Sequence, residues 1–101
     1  FTIVGSRSHG TPELDRIVEE NKQIHGTVNF ISAGSSLKIC MVAEGRADLY
    51  PRTGPTMEWD TGAGQAIARA AGAEVVAFHS PSPLQYNKKN LLNPWFTVRW
   101  P

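Results

Sequence analysis

The stretch Glu58–Phe78, "EWDTGAGQAIARAAGAEVVAF", sets a helix, a stop and a strand in immediate succession. Asp60 stands at the head of an alanine-rich run and reads as the N-cap of a helix over 60–71. Its carboxylate can accept the free N–H groups of a first turn and complement the positive helix end. Gly72 supplies the stop, and the β-branched pair Val75-Val76 places a strand at 74–78. Gly62 and Gly64 are less easily explained, since a helical glycine costs about 1 kcal/mol relative to alanine. Such glycines point to a close approach to the backbone, by a second helix or by a ligand.

The same punctuation continues on either side. "FTIVGS" (1–6) is a β-branched, apolar strand, and Thr11-Pro12 starts a helix over 12–22 on which Leu14, Ile17 and Val18 share one face. "TVNFIS" (27–32) alternates as a strand with one wetter face. "LKICMVAEG" is too apolar for a surface helix and reads as a largely buried helix over 35–44, ended by Gly45. "RADLYPR" (46–52) is a third strand. After the Glu58–Phe78 stretch comes a polar, proline-bearing loop, "SPSPLQYNKKNLLNP", and then a closing strand, "WFTVRW". The order β-α-β-α-β-α-β-β, with no repeat and no low-complexity linker, predicts one α/β domain over 1–101 with helices layered on a sheet. The pattern does not fix strand direction.

Composition narrows the function classes. Of 101 residues, 41% are hydrophobic and 19% charged, and the formal charge is +1. A balance so close to neutral argues against a nucleic-acid polymer or a membrane surface as the partner, so any anion site must be built locally. No apolar run reaches the ~18 residues of a membrane span. The single cysteine, Cys40, fits a reducing compartment and has no partner for a disulfide. The chain opens inside a strand and without methionine, which reads as a piece of a longer polypeptide.

Three segments carry candidate chemistry. Asp60, at an open helix start, is either a cap or a ligand for a divalent cation that bridges to phosphate. "SAGSSLK" (32–38) offers Gly34, Ser35, Ser36 and Lys38 as a phosphate cradle, without the spacing of a P-loop. The alternative there is a plain serine cap and a solvated lysine. "SRSH" (6–9) follows a strand end and offers Ser6, Arg7 and His9 for ligand contact, or is simply a polar turn. No acid lies near enough in sequence to make His9 part of a catalytic triad. His9, His25 and His79 lack zinc spacing. Lys88-Lys89 reads as a solvated pair, and Trp95, Phe96 and Trp100 as core and edge aromatics.

Trp59-Asp60-Thr61-Gly62-Ala63-Gly64 matches the W-D-x-x-A-G signature of the inositol monophosphatase superfamily, and the chain resembles that superfamily over essentially its whole length. "SRSH", "GSSLK", "AEGRADLYPR", "GPTMEWDT" and "LLNPWFTV" resemble its bacterial 3'(2'),5'-bisphosphate nucleotidase branch. The resemblance implies a metal-dependent, lithium-sensitive phosphomonoesterase of sulfur metabolism that removes the 3'-phosphate of adenosine 3',5'-bisphosphate. It implies the C-terminal half of an α/β/α/β/α sandwich, and a cytoplasmic enzyme with peripheral contact at the inner membrane. Asp60 would be a Mg²⁺ ligand facing substrate, and Ser6, His9, Gly34 and Lys38 would line the nucleotide and phosphate site.

The superfamily's other acidic segments, G-D/E-E and D-P-x-D-G-T, do not occur here. The resemblance therefore implies half an active site, with no catalytic residue assigned in this chain and no activity without the N-terminal half. Two other readings stay open: part of an inositol or fructose bisphosphate phosphatase, and a non-catalytic nucleotide- or phosphate-binding module. A third is a purely structural domain in which Asp60 only caps its helix.

Overall fold

The computed structural model describes residues 1–6, 11–34, 37–80 and 82–101. Five strands, β1 (Thr2–Gly5), β2 (Asn29–Ser32), β3 (Leu49–Arg52), β4 (Glu74–Ala77) and β5 (Phe96–Arg99), form one mixed sheet in the order β2-β1-β3-β5-β4. β1 runs parallel to β2 and β3, and β5 is antiparallel to both β3 and β4. The helices are α1 (Pro12–His25), α2 (Leu37–Ala43) and α3 (Glu58–Ala71). The chain steps from β1 to β2 in one direction and from β2 to β3 in the other. Right-handed crossovers therefore set α1 and α2 on opposite faces of the sheet. This is the α/β layering that the element order predicts.

Local signals explain most boundaries. Thr11 Oγ1 accepts the Leu14 N–H at 3.1 Å as a true N-cap, with Pro12 behind it. Gly72 ends α3 in the left-handed region at φ 100°. The expected core helix α2 buries Lys38, Ile39, Met41 and Val42 but leaves Leu37 exposed. Phe96 and Tyr50 meet edge to face at 5.7 Å among Val4, Val42, Val75 and Val98, all buried.

Two expectations need correction. α3 begins at Glu58, not at Asp60, so Asp60 is the third residue of the helix and Met57 is the capping position. Asp60 still serves the helix start, from inside: its Oδ2 accepts the Met57 N–H at 2.9 Å. β2, expected to have one drier face, is exposed along its whole length. It is an edge strand, paired only with β1 among the described residues, and Phe30 folds back over Gly5.

Gly64 answers half of the glycine question. A β-carbon there would lie 2.9 Å from Ile39 Cδ1, so the glycine lets α3 seat directly on α2. Gly62 has no such neighbour; its nearest is Tyr86 Cε1 at 4.0 Å. Gly64→Val is expected to lose about 1–3 kcal/mol by overpacking. Gly62→Ala is expected to gain about 0.5–1 kcal/mol from helix propensity. Urea denaturation of both variants beside the parent protein checks this opposition of sign.

Candidate functional site

A cleft of about 790 Å³ opens beyond the carboxyl ends of β1, β2 and β3. Ser6 follows β1, Ala33 and Gly34 follow β2, and Arg52 closes β3. The strand order reverses direction between β1 and β3, and in open α/β sheets such a switch point is where ligands lodge. Lys38 and Ile39 of α2 and Trp59, Asp60 and Thr61 of α3 form the facing wall. Four of the five residues expected from sequence, Ser6, Gly34, Lys38 and Asp60, thus share one cleft. The fifth, His9, lies outside the described residues, as do Arg7, Ser35 and Ser36.

Lys38 is not the solvated lysine of the bland alternative. It is 3% exposed, its Nζ donates to the Ala33 carbonyl at 3.1 Å, and it sits 5.4 Å from the Tyr50 ring centroid. Burial, then the neighbouring Arg52 charge, holds its pKa below the ordinary 10.5. Among the described residues the ammonium has this one acceptor, and it is a ready partner for an entering anion. Gly34 stands exposed beside it, and a β-carbon there would meet nothing within 4 Å, so packing does not require this glycine.

Arg52 was not legible as a site residue within "RADLYPR". Its guanidinium lies under the turn after β3, where a β-carbon on Gly54 would stand 3.2 Å from Nη2. Nη2 donates to the Pro55 carbonyl at 3.3 Å, while among the described residues the buried Nε has no partner. The available signal was positional: a basic residue at the carboxyl end of a strand. Burial raises the Tyr50 pKa, and the neighbouring Arg52 charge partly offsets this.

The start of α3 is tied down by the segment that reads as a free loop. The Glu58 N–H donates to the Leu91 carbonyl at 2.9 Å. The Glu58 carboxylate accepts the Asn87 N–H at 2.7 Å and pairs with Lys88 Nζ, so Lys88 is not a solvated loop lysine. Those bonds hold the Glu58 pKa below its ordinary value. Tyr86 donates to Thr61 Oγ1 at 3.1 Å. Asp60 itself is exposed, with Oδ2 on the Met57 N–H. Among the described residues no three His, Cys, Asp or Glu side chains gather as a metal site. Cys40 is a half-buried free thiol. No described helix is long and apolar enough to cross a membrane.

Lys38→Met is expected to stabilise the fold by about 1 kcal/mol, because an apolar side chain replaces a desolvated charge. The folded chain holds the Lys38 proton less tightly than the unfolded chain. The parent's stability should therefore rise with pH between the depressed value and 10.5. Thermal melts across that alkaline range should show the rise in the parent and a weaker one in the variant.

Comparison with known proteins follows the same outline. The profile of the inositol monophosphatase family matches residues 2–95. The 3'(2'),5'-bisphosphate nucleotidase CysQ of Escherichia coli is 50% identical over 97 residues, which are 95% of this chain and 37% of that protein. The crystal structure of CysQ from Bacteroides thetaiotaomicron superposes with a TM-score of 0.93 at 60% identity, over 99% of this chain and 37% of the other. The inositol monophosphate-bound SaIMPase-II structure superposes with a TM-score of 0.71 at 22% identity, over 97% and 36% of the two chains, and shares the fold. The chain spans about 37% of the length of the CysQ proteins of Escherichia coli and Salmonella typhimurium.

Proposed function

Since the chain belongs to the inositol monophosphatase family, we propose that it is the C-terminal, substrate-binding part of a 3'(2'),5'-bisphosphate nucleotidase. The observation that carries this reading is the cleft in which Lys38, Arg52 and Asp60 meet at the switch point of the sheet. Two cations and one carboxylate suit a phosphate ester better than a neutral ligand. Lys38 and Arg52 Nε, which has no partner among the described residues, bind phosphate oxygens. Gly34 leaves the backbone of the rim open, and Ser6 supplies a hydroxyl on the opposite side. The 50% identity to CysQ favours a nucleotide over inositol or fructose phosphates.

Mg²⁺ belongs to this reading as the ion of the whole enzyme. The described residues do not form a site for it by themselves: Asp60 offers one carboxylate oxygen, the other being engaged by Met57. Mg²⁺ requires a near-octahedral oxygen set, so the remaining ligands belong to the part of the relatives that this chain does not cover. The chain alone then binds phosphate without hydrolysing it. A cytoplasmic setting, with peripheral contact at the inner membrane, comes with the same family reading.

The test is a substrate panel on the full-length protein: adenosine 3',5'-bisphosphate, inositol monophosphate and fructose 1,6-bisphosphate. The nucleotide should be hydrolysed preferentially, and Asp60→Asn should abolish turnover. Preference for a polyol phosphate, or full turnover by Asp60→Asn, contradicts the proposal. Titration with inorganic phosphate adds the pH dependence. The Lys38 ammonium is the binding form, so affinity should fall on the alkaline side at a lower pH than an ordinary lysine would give. Lys38→Met should bind weakly throughout.

A further inference from the structure

Asn93 lies in the run "KKNLLNP", which reads as loop, yet it is 4% exposed and sits behind the start of α3. Its Nδ2 donates to the Met57 carbonyl at 3.0 Å, to Thr61 Oγ1 at 3.0 Å and to Thr56 Oγ1 at 3.2 Å. Its backbone N–H donates to the Thr56 carbonyl at 2.8 Å. Three acceptors around one NH₂ group use both of its hydrogens and share one of them. Asn93 Oδ1, by contrast, is buried without a partner among the described residues. A buried unpartnered carbonyl is unfavourable. A flipped amide would be worse, since its oxygen would face the Met57 carbonyl. The surroundings demand the donor side.

The Met57 residue is therefore held from both ends. Its carbonyl is gripped by Asn93, and its N–H is the group that fixes Asp60 Oδ2 at 2.9 Å. Thr61, directly after Asp60, is gripped by the same Asn93 amide. The residues on which the orientation of Asp60 depends, one before the helix and one after the carboxylate, share a single donor. Glu58 and Tyr86 anchor the turn as well, through the 86–91 segment; neither bonds to Met57.

We infer that Asn93 is a positioning residue for the Asp60 carboxylate: through the Met57 peptide and Thr61 it sets where that carboxylate stands in the cleft. The inference rests on the reading of Asp60 as part of the working site. Packing alone does not account for Asn93, because an apolar residue of similar size would leave the Met57 carbonyl and the Thr56 and Thr61 hydroxyls without the donor they share.

The test uses the full-length protein and three variants. Asn93→Ala removes the donor. Val98→Ala, in the sheet core, provides a comparable loss of stability away from the cleft. Asp60→Asn tests the parent reading. Asn93→Ala should lower kcat on adenosine 3',5'-bisphosphate by about tenfold or more. KM should stay within about twofold. Amide exchange at Met57 should quicken by about tenfold relative to the rest of α3. Val98→Ala should do neither at matched melting temperature. Should Asn93→Ala fail to fold, Asn93→Ser, which keeps one donor, is judged by the same criteria. If Asp60→Asn is inactive while the Asn93 variant keeps parental kcat and Met57 exchange, the positioning role is wrong and the parent reading stands. If Asp60→Asn turns over normally, both fall.

Discussion

Ile39 of α2 stands 2.9 Å from the place a β-carbon on Gly64 of α3 would occupy, and this approach fixes the spacing of everything around the cleft. Lys38 precedes Ile39, and Asp60 lies four residues before Gly64, one turn along the same helical face. Seating α2 on α3 at this point therefore sets a buried ammonium and an exposed carboxylate together on the wall that faces the strand ends. A larger residue at position 64 would part the helices and widen the site without touching a ligand-binding group. The sheet adds the third member: β3 ends at Arg52, and its antiparallel pairing with β5 sets Arg52 against Phe96 at the floor of the cleft.

A helix start leaves four N–H groups without intrahelical partners, and here distant chain helps to satisfy them. Leu91 takes the Glu58 N–H, and Asp60 reaches back to Met57. The Glu58 side chain in turn collects Asn87 and Lys88, and Asn93 closes the inner side. A segment with little regular structure thus becomes the fixed support of the residue with most chemical potential. Its own order depends on the same bonds, so the support and the helix start form as a unit.

Much of the fold was legible because its signals are local. Thr11-Pro12, Gly72 and the β-branched pair Val75-Val76 each act within a turn of themselves, and the elements they mark lie where the sequence puts them. The start of α3 was misplaced because Met57 carries no capping signature and its neighbours are satisfied from position 91 onward. The site divides in the same way. Ser6, Gly34, Lys38 and Asp60 were legible as candidates from strand ends, glycines and the W-D signature. The burial of Lys38, the inward turn of Arg52 and the grip of Asn93 depend on packing between elements far apart in sequence. The second wall of the site, which the family resemblance implies, has no counterpart among these residues.

The central claim is that the α2–α3 seat makes Lys38, Arg52 and Asp60 one phosphate site. Its most direct test is a crystal structure of the full-length protein with inorganic phosphate bound. The account predicts phosphate oxygens within hydrogen-bond distance of Lys38 Nζ and Arg52 Nε, with Nζ turned from the Ala33 carbonyl toward the anion. Phosphate bound elsewhere, with Nζ still on Ala33 and Arg52 Nε still unpartnered, would contradict it.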